Sequence, residues 1–349
     1  MKLQSTYYIP ALLLVCILIF FTNLNVIYVN IMEARNFITA REMLQYNHWI
    51  KTTMNLEPRY EKPPLPTWLT ALSASIFGLN NLVSLRLPAV LSVTFLIIIS
   101  YFFSIKLIND KKHAFISSLI LATSFYIIFS GRNGQWDIFA HSFMFFAIYK
   151  LFTAFEDKNI NWKNWILAGV FLGLSFMSKG PVSLFALLLP FLIAYGIVYK
   201  FNHFKTKLTP TLITILLFAI VGLTWGIYIY TTDSSSANAI AEKETIAWSN
   251  RNVKPWYYYW SFFTQSGLWT YFSFIALLYP FIIKKIENKK AFRFTFIWTV
   301  STVVLLSLIP EKKARYLLPV LIPLALNTSF YINYLAQKNK QLLKIDLII

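Results

Sequence analysis

Residues 208–232 read LTPTLITILLFAIVGLTWGIYIYTT and contain no charged side chain. At 1.5 Å per residue a helix of this length covers about 37 Å, more than the ~30 Å hydrocarbon core of a bilayer. Strand-type alternation is absent, and a segment in lipid must satisfy its backbone hydrogen bonds within itself. The stretch therefore predicts a membrane-spanning helix. Nine further apolar runs surround it, at 8–29, 87–105, 114–131, 138–155, 164–178, 180–199, 256–283, 294–310 and 316–337. Several are short, but flanking Lys and Arg side chains can snorkel to the interface.

Composition agrees with this reading. The chain is 57% hydrophobic, 18% aromatic and 13% charged, whereas a soluble domain carries about 25% charged residues. Disorder, a collagen-like fibre and a disulfide scaffold are excluded by the same balance. The net charge of +18 reads as basic membrane loops and calls for no nucleic-acid partner. Cys16 is the single cysteine, so neither an intrachain disulfide nor a cysteine metal cluster can form. Lys2 precedes an apolar stretch from Tyr8 that lacks a small-residue cleavage pattern, which predicts an uncleaved signal anchor.

With a cytoplasmic N-terminus and ten alternating runs, 18 of the 32 Lys and Arg residues fall inside, and nine of the 14 acids fall outside. An ordinary positive-inside protein needs no such outer collection of acids and cations. Residues 63–85 are uncharged, but Pro63, Pro64, Pro66, Gly78, Asn80 and Asn81 make them a poor continuous span. They predict an amphipathic or re-entrant segment with Trp68 at headgroup level. The expected organisation is one transmembrane domain over 1–349. It has long outer loops at about 30–86 and 233–255 and no soluble domain.

The unusual polar residues converge on the outer side. Glu33 and Arg35 open the first loop, and Glu61 and Lys62 follow in RYEKPPLPTW. Arg132 and Asp137 lie in GRNGQWD, Lys179 in MSKGP, and Glu311, Lys312, Lys313 and Arg315 between the last two runs. Each has a plain reading: a helix-end pair for Asp137 and Arg132, a turn at Lys179, a solvated pair at Glu61 and Lys62, snorkelling at 312–315. Together they put acids and cations at one membrane edge, where charge is costly and marks function. Lys and Arg suit phosphate, and a carboxylate suits an acceptor proton or a positive sugar carbon. His48, His113, His141 and His203 show no metal-ligand spacing. His113 and His203 read as solvated. His141, one turn after Asp137, either faces that acid or sits as a satisfied core histidine. No nucleotide-binding or hydrolase motif is present. PWYYYW at 255–260 reads as an interfacial aromatic belt or a sugar-stacking surface.

These stretches resemble a known group. MEARNFITAREML, YEKPPLPTWLTAL with FGLNNLVSLRLPAV, GRNGQWDIFAHSF, FMSKGPVSL, KPWYYYW and KKARYLLPVLIP are similar, in order, to segments of the bacterial polyprenyl-phosphate-sugar glycosyltransferases of family 39. Their relatives in the GT-C superfamily include the aminoarabinose transferases and protein O-mannosyltransferases. The resemblance covers roughly residues 25–325. It implies an all-α polytopic bundle of about 10–11 transmembrane helices with a helical first periplasmic loop. It also implies transfer of a monosaccharide from an undecaprenyl-phosphate-type donor to a lipid, glycan or protein acceptor, on the periplasmic face of the inner membrane. By resemblance, Glu33 is the second acid of the family's Asp-Glu pair, and Met32 stands where the Asp is usual. Asp137 matches the acid opening the fourth span, and Glu61 and Lys62 match a Glu-Lys-Pro element. Lys179 and the 312–315 run match cations near the lipid phosphate. The expected roles are chemistry at Asp137 or Glu33, phosphate binding at Lys62, Lys179, Lys312, Lys313 and Arg315, and support from Glu61, Arg35 and Arg132. No cofactor is implied with certainty, and a divalent metal bridging Glu33 or Asp137 stays open. Two other readings compete. One is a flippase or transporter for lipid-linked sugar, which would show midplane charges and repeats. The other is a non-catalytic subunit derived from such an enzyme, as Met32 suggests. Many relatives continue further, so the chain reads as a short form or a truncated one.

Overall fold

The computed structural model describes residues 4–201 and 204–346, leaving Lys2 and His203 outside. Fifteen helical segments follow one another among the described residues: α1 (Ser5–Phe21), α2 (Ile31–Tyr46), α3 (Leu65–Phe77), α4 (Leu82–Ile108), α5 (Lys111–Ala122), α6 (Phe125–Gly131), α7 (Trp136–Glu156), α8 (Trp162–Lys179), α9 (Leu184–Tyr199), α10 (Leu208–Thr232), α11 (Ser234–Asn250), α12 (Trp256–Ala276), α13 (Tyr279–Lys285), α14 (Lys289–Leu308) and α15 (Ala314–Lys338). A two-stranded hairpin, β1 (Thr53–Met54) with β2 (Glu57–Pro58), pairs Thr53 with Pro58.

Five helices, α4, α7, α10, α14 and α15, are long and apolar enough to cross a membrane. Two bent pairs, α5–α6 at 66° and α12–α13 at 72°, bring the number to seven. The remaining three predicted runs are occupied by α1, α8 and α9, which are shorter or carry polar ends. The chain is a multi-pass helical membrane protein.

Segments before the second span fold as the sequence chemistry dictates. Asn30 caps α2 by accepting from the amides of Met32 and Glu33 at 3.0 and 3.1 Å, and Asn47 ends it in the left-handed region. The proline cluster starts α3 with a proline in its first turn. Thirteen residues cover about 20 Å, too little for a span, so α3 packs on α2 and α4 instead. Within 63–85, read above as a poor continuous span, the chain forms this short helix, and Trp68 donates its indole N–H to the Trp49 carbonyl at 2.7 Å.

One continuous core runs through α1, α4, α5, α7, α8, α9, α14 and α15. Its centre is aromatic: Phe103, Phe145, Phe191 and Phe294 surround the fully buried Trp298 with centroids 5.3–6.2 Å away. Gly169 and Gly173, four residues apart on α8, leave room for Thr214, Val221 and Gly222 of α10. This small-residue seam lets two helices approach where lipid supplies no hydrophobic drive. His113, expected to be solvated, is buried at the start of α5. It bonds Ser329 at 2.7 Å and lies against Phe330. The apolar ladder of α15 covers it, a contact with no local sequence signal.

Candidate functional site

One end of the bundle collects the polar residues singled out above. It is built from the start of α2, the start of α4, the loop into α7, the end of α8, α11 and the turn between α14 and α15.

Glu33 is completely buried on α2. Its carboxylate takes Arg86 of α4 in a fork, with Nε and Nη2 at 2.7 and 2.8 Å, and accepts the Gly134 amide at 2.9 Å. Arg86, also fully buried, donates again to the Leu24 carbonyl. A side chain at Gly134 would meet the Phe37 ring at 2.6 Å, so glycine lets the loop pass close to α2 and reach Glu33 without displacing that ring. Asn36 reinforces the junction by donating to the Gly134 carbonyl at 2.9 Å. Asn30 does the same through Asn133 at 2.8 Å. Arg132 turns away from Asp137 and donates to the Thr22 and Asn23 carbonyls at the end of the first span. These contacts fix the approach to α7.

Asp137 stands in the first turn of α7 and pairs directly with Lys179, the last residue of α8. Both are buried. Gly180 follows with φ +68°, a left-handed conformation open to glycine, and breaks the chain away from α8. Lys179, Arg315 and His141 act electrostatically on Asp137, and Arg315 and Lys62 act on Lys179. Lys179 and Arg315 also share the Tyr316 ring, at 5.6 and 5.7 Å from its centre, so Asp137, Lys179 and Arg315 form the cluster, with Lys62 at its edge beside Lys179.

The other expected residues are engaged differently. Lys62 lies 3.6 Å from Glu244 of α11, and Tyr60 donates to Asp233 at 2.8 Å, so α11 flanks the Glu-Lys-Pro segment. That contact and burial push the Tyr60 phenol up to about 12. Glu61 lies 3.9 Å from Arg59, whose guanidinium covers Trp136 at 4.9 Å from the ring centre. Arg35 is exposed on α2. Lys312 is buried and spends its ammonium on the Lys254 and Ile309 carbonyls at 3.1 and 2.6 Å. Lys313 pairs with Glu311 at 2.5 Å. Glu311 also takes Arg251 at 3.1 Å and the Tyr316 hydroxyl at 2.9 Å. Burial pushes the Glu311 carboxyl up, but its bonds from Lys313, Tyr316 and Arg251 outweigh this and hold it below the usual range. Arg315 keeps a buried Nε without a hydrogen-bond partner, over the face of Tyr316. It is the member of the basic run with a donor still unspent.

PWYYYW opens α12 as a short 3-10 turn. Trp256, Tyr257 and Trp260 are exposed, as a belt requires, while Tyr259 is buried and bonds both the amide and the carbonyl of Lys313. Sequence reasoning missed Arg86, Gly134 and Tyr259. Arg86 was a detectable signal: a lone charge near the start of α4, followed by the uncharged run 87–105. Among the described residues no group of three His, Cys, Asp or Glu side chains is arranged to hold a metal ion.

Comparison with known proteins follows this geometry. Residues 61–227 match the family model described as dolichyl-phosphate-mannose-protein mannosyltransferase. The chain is 24% identical over 309 residues to the undecaprenyl phosphate-alpha-4-amino-4-deoxy-L-arabinose arabinosyl transferase of Pseudomonas savastanoi pv. phaseolicola, covering 84% of this chain and 55% of that protein. The same-named transferase of Wigglesworthia glossinidia brevipalpis is 27% identical over 330 residues, covering 91% of this chain and 57% of its own length. The crystal structure of ArnT from Cupriavidus metallidurans bound to undecaprenyl phosphate superposes with TM-score 0.80 at 18% identity, covering 99% of this chain and 64% of that one. The archaeal oligosaccharyltransferase AglB from Archaeoglobus fulgidus superposes with TM-score 0.59 at 12% identity, covering 99% of this chain and 52% of that one. The chain thus spans between half and two thirds of the length of these relatives. Its fold is that of a GT-C polytopic membrane protein. The resemblance to the family-39 polyprenyl-phosphate-sugar glycosyltransferases, read from the motifs, is borne out.

Proposed function

We propose that the chain is a membrane glycosyltransferase. It moves a hexosyl or pentosyl unit from an undecaprenyl- or other polyprenyl-phosphate donor to a lipid, glycan or protein acceptor, at the periplasmic face of the inner membrane. The observation that carries this reading is the buried Asp137–Lys179 pair with Arg315 and Lys62 acting on it. One acid among three cations at a membrane edge matches an anionic leaving group beside a hydroxyl nucleophile.

In the proposed reaction the acceptor oxygen attacks the anomeric carbon. The carbon–oxygen bond to the donor phosphate breaks, and polyprenyl phosphate departs with the electron pair. Lys62, Lys179 and Arg315 hold that phosphate and meet its developing charge. Lys62 exchanges Glu244 for phosphate, and the unspent Nε of Arg315 finds its acceptor there. Asp137 orients the acceptor hydroxyl and takes its proton. Holding both partners at one place supplies much of the rate. Glu33 serves a different end: both its oxygens are occupied by Arg86 and Gly134, so it positions the segment that carries Asp137. Lys312 and Lys313 shape the turn that presents Arg315.

The test is incubation of the purified full chain with labelled polyprenyl-phosphate sugars in detergent or vesicles. Release of polyprenyl phosphate with sugar on an acceptor is expected, and loss of release in Asp137→Asn. No turnover with any such donor, in folded protein supplied with varied acceptors, would remove the reading.

A further inference from the structure

His141 lies fully inside the bundle, one turn beyond Asp137 on α7. Its Nδ1 is 3.0 Å from the Oγ of Ser183, which is itself fully buried. Ser183 lies four residues beyond Lys179, as His141 lies four beyond Asp137. The two contacts form a ladder between α7 and the segment after α8. The first rung is Asp137 with Lys179, and the second is His141 with Ser183.

The second rung falls where regular structure is weakest. The α8 ladder closes with the Gly180 amide on the Phe176 carbonyl at 2.7 Å. Gly180 then takes its left-handed φ and Pro181 offers no amide. Residues 184–188 continue as a π turn rather than an α-helix. A π segment inside helical structure marks a functional site more often than chance. Val182 and Ser183 already lie in the helix that follows, where the Phe185 amide bonds the Pro181 carbonyl at 3.2 Å, so the break in regular structure is confined to Gly180 and Pro181, and Lys179 sits at its edge. A buried serine and histidine that meet only to fill space would be an expensive way to do so. We infer that the His141–Ser183 hydrogen bond is a positioning clamp: it pins the turn to α7 and so holds the Lys179 ammonium at the phosphate side of Asp137. This deepens the transferase reading and rests on it for the identity of the phosphate.

The experiment uses Ser183→Ala, His141→Phe and His141→Asn in the full chain, in detergent micelles. A neutral hydrogen bond lost from a positioning contact lowers function between about 5- and 100-fold. Ser183→Ala and His141→Phe should weaken binding of undecaprenyl phosphate and raise the donor KM by that factor, measured on folded protein well below the thermal midpoint of each variant. His141→Asn, whose side-chain amide stands where Nδ1 does, should recover most of the loss. A role in folding alone would reduce the active fraction and leave KM and affinity as in the wild type, which overturns the inference. Asn behaving like Phe would do so too. Hydrogen–deuterium exchange over residues 179–185 separates this from the parent reading. Faster exchange there in Ser183→Ala supports the clamp even if the wild type binds no undecaprenyl phosphate, in which case the donor reading alone falls. Unchanged exchange removes the clamp.

Discussion

Glu33→Gln is the perturbation that separates the two acids. In the wild type Glu33 accepts three hydrogen bonds, two of them charge-assisted from Arg86. Both partners have no exposed side-chain surface. Gln keeps the shape but supplies one acceptor oxygen, so at least one guanidinium bond is lost and the Arg86 cation is left buried without its counter-charge. Breaking a buried pair from one side costs about 3–5 kcal/mol. Most of that should appear as a lower midpoint of thermal unfolding in detergent. Turnover per folded molecule should fall little, because the carboxylate does not touch the reacting groups. Asp137→Asn should show the reverse: a turnover loss of about 10²–10⁴-fold, as for a missing general base. The double variant Glu33→Leu with Arg86→Met sharpens the comparison. Replacing a buried pair by apolar residues of similar volume is often neutral or stabilising, so it should regain the stability that Glu33→Gln loses, with transfer retained. Unfolding midpoints and transfer rates on the same preparations decide the matter. A stable but inactive Glu33→Gln, or a stable double variant without activity, would refute the positioning role.

Removing the cations one at a time as Lys62→Ala, Lys179→Ala and Arg315→Ala should cost roughly 10–150-fold in transfer efficiency each, the worth of a charge-assisted bond of about 1.5–3 kcal/mol. Donor kinetics check this, and Arg315→Lys should recover only part of the loss if the contact is forked. The Glu311 carboxyl, held low by Lys313, Tyr316 and Arg251, adds stability that is complete above the ordinary Glu value of about 4.3. This is lost as pH falls through the lower native value. The gap in unfolding midpoint between wild type and Glu311→Gln should therefore be constant at neutral pH and close below pH about 4. Cysteines placed at 33, 61, 137, 179 and 312 in a Cys16→Ala background should all be labelled from the periplasmic side or protected from both. Labelling of 61 and 179 from opposite sides would split the proposed site.

The membrane fold was legible because its signal is additive: long apolar runs such as 208–232 and 87–105 need no tertiary knowledge. The breaks within runs were less so. Ser124 divides α5 from α6 without a glycine or proline at the bend, whereas Pro280, at the start of α13, is a local signal for the break after α12. The residues gathered at one end were legible as a set, because charges at a membrane edge stand out against apolar sequence. Their pairing was not. Asp137 was weighed against Arg132, five residues away, but takes Lys179, 42 residues away. Glu33 was weighed as an acid for chemistry, and nothing local signals that Arg86 on the next span closes on it. His113 looked like a loop residue because Asp110, Lys111 and Lys112 precede it, yet those residues form the cap of a helix that carries it inward.

What distinguishes a structural charge from a functional one here is whether the protein itself completes its bonding. Glu33 and Arg86 complete each other. Lys312 finds two carbonyls, and Lys313 and Arg251 share Glu311. Glu33, Arg86, Glu311 and Lys312 are buried at a desolvation cost that only their own partners offset. Lys179, Arg315 and Lys62 are different. Lys179 and Arg315 both face the Asp137 carboxylate, Lys62 reaches Lys179 from its pair with Glu244, and Arg315 keeps a buried donor without an acceptor. Like charges held together in low dielectric repel by several kcal/mol unless an anion joins them. A folded chain tolerates this when an anionic ligand is the missing partner. The prediction that follows is quantitative in sign. Undecaprenyl phosphate should raise the unfolding midpoint of the wild type, and should raise it less in Arg315→Ala even if that variant alone melts higher, because relief of repulsion and loss of the ligand are the same change. Equal stabilisation of both proteins by the lipid would mean that the three cations are balanced without it, and that the phosphate, if one binds, lies elsewhere.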